Sequence, residues 1–238
     1  MPRVNEWGQP IGPELPGWVP PVSPPRVALV GRFCRVEPLD VEKHGRELFE
    51  ANAESPDARS FTYLPYGPFG SFDEYRDWLR ASRSADDPSF YAMVTDGRAV
   101  GIASYMRIQP AAGCIEIGHL NFSRRLQKTP AATEAMYLMM KNAFELGYRR
   151  YEWKCDALNA PSRAAAERFG FVFEGIFRQA IVYKHRSRDT AWFSIIDAEW
   201  PGVERAFRSW LAPENFDTAG QQRRRLSELM AETRRTER

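Results

Sequence analysis

Residues 115–135 read Ile-Glu-Ile-Gly-His-Leu-Asn-Phe-Ser-Arg-Arg-Leu-Gln-Lys-Thr-Pro-Ala-Ala-Thr-Glu-Ala, and this stretch decides the fold. An extended segment over 114–122 enters a loop of small residues, Thr129, Pro130, Ala131, Ala132 and Thr133. A helix comes next, with Met136, Met139, Met140, Ala143 and Leu146 at helical spacing until Gly147 stops it. The first turn of such a helix has backbone N–H groups without intrahelical partners, and short side chains let an anion approach them. The unit could hold a pyrophosphate. A tight strand-to-helix connection capped by Thr129 accounts for the same residues.

Upstream, 89–94, 99–108 and 114–122 are separated by the turn signals Asp96-Gly97 and 110–113, which predicts an antiparallel meander. A strand at 32–37 precedes a helix capped by Asp40, and Ser71 with Glu74 forms a capping-box pattern for a second helix. Downstream, 150–156 alternates, with Tyr151, Trp153 and Cys155 on one face and Glu152, Lys154 and Asp156 on the other. A short helix begins after Pro161 and ends at Gly170. A hairpin over 171–183 and 189–197 turns around 184–187, and a last helix runs from Pro201. The fold class is mixed α/β of the α+β kind.

Three segments divide the 238 residues: an arm over 1–31, a body over 32–212 and a basic tail over 213–238. Eight prolines within 1–25 favour extended chain over helix, and Trp7 with Trp18 implies that the arm lies against a surface. In the tail, 221–235 reads as a polar helix with only Leu226, Leu229 and Met230 to bury, so it needs a surface to pack on. Net charge is +2, and 217–238 holds six Arg against four acids, so the body has no basic excess. Nucleic acid or a ribosome is thereby disfavoured as a partner except through the tail. The longest apolar run is six residues, far below the roughly 20 of a membrane span, and no secretory signal is visible. A cytoplasmic protein is expected. Cys34, Cys114 and Cys155 fit neither a disulfide framework nor a zinc site.

P-loop, Gly-x-Gly-x-x-Gly, Gly-x-Ser-x-Gly and His-Glu-x-x-His motifs are absent. Residues 159–171 read Asn-Ala-Pro-Ser-Arg-Ala-Ala-Ala-Glu-Arg-Phe-Gly-Phe. With the order of elements over about 32–200, this resembles the GNAT superfamily of acetyl-coenzyme A dependent N-acetyltransferases, and within it the ribosomal-protein N-terminal acetyltransferase branch. Asn159, Ser162, Gly170 and Phe171 match that branch's second motif. The coenzyme motif, Gln/Arg-x-x-Gly-x-Gly/Ala, falls on 127–132, where Gln127 and Ala132 match and Pro130 replaces the first glycine.

The resemblance implies acetyl-CoA as co-substrate, a primary amine as acceptor, and direct attack in a ternary complex without metal. It implies a sheet splayed between 114–122 and 150–156, with a bulge near Leu120, Asn121 and Phe122 whose backbone N–H meets the oxyanion. Gln127 and the amides of Lys128, Thr129, Ala131, Ala132 and Thr133 would hold phosphates, with Arg124, Arg125 and Lys128 flanking them. Asn159 would bind the coenzyme and Ser162 would donate to the departing thiolate. Glu116 is the leading candidate base and His119 its rival. Each has a plainer reading: a paired surface carboxylate, a structural histidine, a helix-start serine. Tyr63, Tyr66, Phe69, Phe177, Arg178 and Tyr183 are candidate acceptor walls. Dimerisation is common in the family, though no residue here specifies a homodimer. A non-catalytic coenzyme A-binding protein or a scaffold with this fold remains an alternative.

Overall fold

Alternation and helical spacing become an eight-stranded mixed sheet with helices on both faces. The structure, a computed structural model, describes residues 3–83 and 86–236. A two-stranded ribbon, β1 (Arg3–Val4) and β2 (Pro10–Ile11), opens the chain. Next are β3 (Leu29–Val30), β4 (Arg35–Pro38), α1 (Val41–Ala53), α2 (Phe72–Arg83), β5 (Ser89–Thr95), β6 (Arg98–Gln109) and β7 (Cys114–Phe122). Then come α3 (Pro130–Glu145), β8 (Arg150–Asp156), α4 (Ala160–Arg168), β9 (Val172–Tyr183), β10 (Arg186–Ile196), α5 (Trp200–Leu211) and α6 (Leu226–Thr236).

Strand order is β3-β4-β5-β6-β7-β8-β10-β9, and β7–β8 is the one parallel neighbour pair in that sheet. The crossover between them is α3, as a parallel pair requires. One face packs Tyr91, Met93, Tyr105, Ile117, Tyr151 and Phe193 with the methionines of α3 and with α5. The other buries Phe90, Ala92 and Ile102 beneath Leu48 of α1 and Tyr75 and Leu79 of α2.

Local chemistry sets the boundaries. Asp40 Oδ1 accepts from the amides of Glu42 and Lys43 at 3.0 and 3.1 Å, which starts α1. Ser71 Oγ accepts from the Glu74 amide at 3.2 Å, but Glu74 returns its bond to the amide of Gly70 rather than of Ser71. The β9–β10 turn is tighter than 184–187: Lys184 and His185 both take positive φ (46° and 59°), as in a type I′ hairpin. No helix among the described residues is long and apolar enough to cross a membrane.

The two ends behave differently from each other. In the arm, Pro21 and Pro24 are buried and Tyr91 donates to the Pro25 carbonyl at 3.2 Å, whereas Trp7 is 76% exposed. At the other end, Leu226, Leu229 and Met230 are all buried, and Arg234 Nη2 donates to the Gly170 carbonyl at 2.9 Å. The surface that α6 needs is the body of its own chain.

Candidate active site

The β7–β8 ladder runs from Cys114 with Arg150 to Ile117 with Trp153 and stops there. On its other edge β7 slips against β6, since Ile102 pairs with Asn121 but Ser104 pairs with Gly118. The extra residue is a bulge at 118–121, slightly earlier than the sequence suggested, with His119 at φ 52°. Strand end and bulge together open a gap. Leu120, Asn121 and Phe122 on one side and Trp153 on the other line a cleft of about 740 Å3.

The cleft continues to the N-terminus of α3, where Gln127, Lys128, Thr129, Pro130, Ala132 and Thr133 line it. Thr129 is the N-cap: its Oγ1 accepts from the Ala132 amide at 3.2 Å and donates to the Leu126 carbonyl at 2.7 Å. Pro130 stands in the first turn, where a missing N–H removes no helical bond and the fixed φ suits entry. The Thr129 amide also donates to Leu126 at 3.3 Å. The Thr129 and Ala132 amides are thus engaged within the loop, and Thr133, four residues past the cap, donates into the first helical turn, which leaves the amides of Lys128 and Ala131 without such partners. Ala131 contributes only through backbone, because its side chain is buried in the core.

Side chains around the loop have assigned tasks. Gln127 Nε2 donates to the Phe122 carbonyl at 2.7 Å and closes the loop on itself. Arg125 is drawn away to an ion pair with Glu54, its Nε 2.8 Å from Oε2. Beside Lys128, the cleft is lined by Arg168, whose Nη2 donates to Thr133 Oγ1 at 3.0 Å. Its guanidinium lies 5.1 and 5.7 Å from the ring centroids of Phe169 and Trp210. No carboxylate pairs with it among the described residues, and burial lowers its pKa.

At the gap end, α4 brings Asn159 and Ser162 to the same cleft. Asn159 is the cap: its Oδ1 accepts from the Ser162 amide at 3.2 Å. The Ser162 hydroxyl is not spent on capping, since its Oγ accepts from Trp153 Nε1 at 3.0 Å. A serine oxygen that accepts from the indole still has its own proton to donate.

Glu116 and His119 do not line this cleft. Glu116 is 3% exposed, and its Oε2 lies 2.6 Å from Arg107 Nη1 and 2.9 Å from Lys154 Nζ. Lys154 also meets Glu152 at 2.6 Å, Arg150 bridges Glu152 and Glu174, and the Lys154 ammonium sits 3.9 Å from the Trp192 ring. The polar face of β8 is therefore a buried ion network rather than a solvated one. His119 stacks on Tyr66 at 5.5 Å and tilts against Phe90 at 4.9 Å, with Nδ1 buried and unpartnered. Burial first and the Arg107 charge second push its pKa down to about 4.

The candidate acceptor walls separate into two groups. Tyr63 OH donates to the Leu158 carbonyl at 3.2 Å and Tyr183 OH to Asp156 Oδ2 at 2.8 Å, while Tyr66 and Phe69 pack with Trp78 near His119. Phe177 and Arg178, by contrast, are exposed on β9. Cleft residues that the sequence reading missed are Ser60, Arg168 and a distal group, Trp210, Phe216, Gly220, Gln221 and Gln222. Only the Arg before Phe-Gly-Phe carried a signal, a cation one turn from a small-residue helix end.

The model for the acetyltransferase (GNAT) domain matches residues 35–172, and no curated protein matches the chain. A GCN5-related N-acetyltransferase from Brucella melitensis is 49% identical over 91% of this chain and 100% of its own, with a TM-score of 0.89. A GNAT-family protein from Chromobacterium violaceum is 46% identical over 81% of this chain and 98% of its own, with a TM-score of 0.76. The ribosomal L7/L12 α-N-protein acetyltransferase in complex with coenzyme A shares the fold at 19% identity, covering 71% of this chain and 97% of its own, TM-score 0.57. A domain match over more than half of the chain and a 49% identical relative together show that the chain belongs to the GNAT acetyltransferase family.

Proposed function

We propose that the protein moves an acetyl group from acetyl-CoA to a primary amine, on a protein N-terminus or a small molecule, by direct attack in a ternary complex. The observation that carries this reading is the single cleft joining the α3 N-terminus to the β7–β8 gap, with Ser162 at the gap end. Its shape and donors fit the coenzyme: unengaged amides at a helix start for phosphates, and an unpaired strand edge for the pantetheine amides. Acetyl-CoA, when bound, supplies an activated thioester carbonyl.

The amides of Lys128 and Ala131 hold phosphate charge, helped by the α3 dipole. In the segment Leu120, Asn121 and Phe122, a backbone N–H on the edge that β8 no longer covers stabilises the developing oxyanion. Ser162 donates a hydrogen bond through its hydroxyl to the sulfur that leaves as thiolate, which takes its proton from water, and the Trp153 indole holds the serine oxygen in place. His119, one residue before Leu120, stays a neutral imidazole at physiological pH, as its pKa near 4 requires, and with its ring packed on Tyr66 and Phe90 it supports the bulge rather than meeting the amine. Glu116 fixes Arg107 and Lys154 beside the gap. Loss of the ammonium proton then falls to water.

The test is incubation with acetyl-CoA and a panel of primary amines, namely peptides, amino acids, polyamines and aminoglycosides. Free thiol release and acetylated product are both followed. Acetylation of at least one amine is expected. Coenzyme binding with no transfer to any class would reject catalysis in favour of a coenzyme-binding role.

A further inference from the structure

The cleft is longer than a phosphate site and a thioester gap require, and its far wall comes from the C-terminal segment. Helix α4 gives the order along it. Ser162, in the first turn, faces the gap, and Arg168 lies six residues later on the same helix, about 9 Å along the axis. Arg168 bonds Thr133 at the start of α3 and lies 5.7 Å from the Trp210 ring. Trp210 in turn donates from Nε1 to Gln222 Oε1 at 2.7 Å and meets Phe216 at 5.5 Å between centroids. Gap, helix end, guanidinium, aromatic pair and glutamines thus succeed one another along one cavity.

The segment bearing Phe216 and Gln222 is held rigidly. Asn215, 7% exposed, donates from Nδ2 to the Trp210 carbonyl at 2.9 Å and accepts from the Arg224 amide at 2.9 Å. Asp217 Oδ1 accepts from the amides of Ala219 and Gln221 at 2.9 and 2.8 Å. An isolated bridge pairs Phe216 with Gln222, and the buried side chains of α6 anchor the C-terminal side of the loop.

We propose that this C-terminal loop is a binding wall for the 3′-phosphorylated adenosine end of the coenzyme. The inference rests on the acetyl-CoA reading. The acceptor must meet the thioester at the gap, so the region on the opposite side of the helix-end phosphate site is left to the adenosine. Arg168, a cation without a carboxylate partner among the described residues, meets a coenzyme phosphate. Phe216, only partly covered, offers a ring face to the purine. Gln222, whose Oε1 is taken by Trp210, presents its NH2 group as a donor.

Calorimetry separates this proposal from the reading beneath it. The probes are acetyl-CoA and S-acetyl-phosphopantetheine, which lacks adenosine, against the parent, Arg168→Gln, Phe216→Ala and Gln222→Ala. Gln222 is exposed, so its variant keeps the fold even if Phe216→Ala does not. Weakening of acetyl-CoA by about 10-fold in Gln222→Ala and about 10- to 100-fold in Arg168→Gln is expected. Binding of S-acetyl-phosphopantetheine stays within about twofold in Gln222→Ala. Unchanged acetyl-CoA affinity in Gln222→Ala and Arg168→Gln, or equal loss for both probes in Gln222→Ala, overturns the adenosine wall while the acetyl-CoA reading stands. No acetyl-CoA binding by the folded parent overturns both.

Discussion

Trp153 Nε1 and Ser162 Oγ, carried by β8 and α4, meet at 3.0 Å, so the strand that ends at the gap positions the hydroxyl that faces it. The contact ties the aromatic core to the reaction centre. An indole is a donor only, so it fixes the serine as acceptor and leaves the serine proton free for the thiolate. Ser162→Ala is expected to lower kcat about 10- to 100-fold with the KM for acetyl-CoA within about twofold. Trp153→Phe should give a smaller loss. Steady-state kinetics beside a circular dichroism spectrum check this, and an unchanged kcat in Ser162→Ala would remove the role of hydrogen-bond donor to the thiolate.

His119 links the bulge to acid stability. Its folded pKa is about 4, below the ordinary value near 6.5, so the unfolded chain takes a proton first as pH falls. Stability attached to this group is complete above pH 6.5 and is lost progressively down to about 4. Between pH 7.5 and 5 the loss should be about 2 kcal/mol. His44, whose pKa burial also lowers, adds to it in the same direction. His119→Asn keeps a residue that tolerates positive φ but removes the titration. Urea denaturation at the two pH values should show a shallower loss in that variant by about 2 kcal/mol.

Glu134 ties the segment between the first strands to α3. Its carboxylate, 4% exposed, accepts from the amides of Arg32, Phe33 and Cys34 at 2.8, 2.6 and 2.9 Å. Glu134→Ala strands three amide donors, that of Cys34 buried and those of Arg32 and Phe33 partly so, and should cost about 3 kcal/mol. Glu134→Gln, which keeps an acceptor oxygen, should cost less. A loss under about 1 kcal/mol in the alanine variant would contradict this role.

Pro130 stands where the family motif has glycine, at a helix start that needs no N–H. Pro130→Gly should leave the Kd for acetyl-CoA within about threefold and lower the melting temperature through a looser unfolded chain. A large gain in affinity would mean that the proline impairs the phosphate loop.

Local patterns were legible in the sequence wherever one interaction decides them. Asp40 caps because its carboxylate reaches two amides, and the spacing of Met136, Met139 and Met140 places them all on the buried side of α3. Features that depend on pairing between distant strands were not legible. Glu152, Lys154 and Asp156 alternate as a solvated face would, yet β10 and the ion pairs with Arg150 and Glu116 bury them. Phe173 reads as core but is 44% exposed, since β9 is the edge of the sheet. Trp7 and Trp18 look alike in a proline-rich arm, and only Trp18 is substantially covered. Phe216 and Gln222 reach the cleft through the docking of α5 and α6, which no local pattern encodes.

The central claim is that the α3 N-terminus holds the coenzyme phosphates, and calorimetric titration with acetyl-CoA tests it most directly. The parent should bind in the micromolar range, and Thr129→Ser, which keeps the cap, should bind within a few-fold of it. Thr129→Glu puts a carboxylate among those amides and should weaken binding by about 100-fold or more. A folded parent that does not bind, or a glutamate variant that binds as the parent does, would contradict the account.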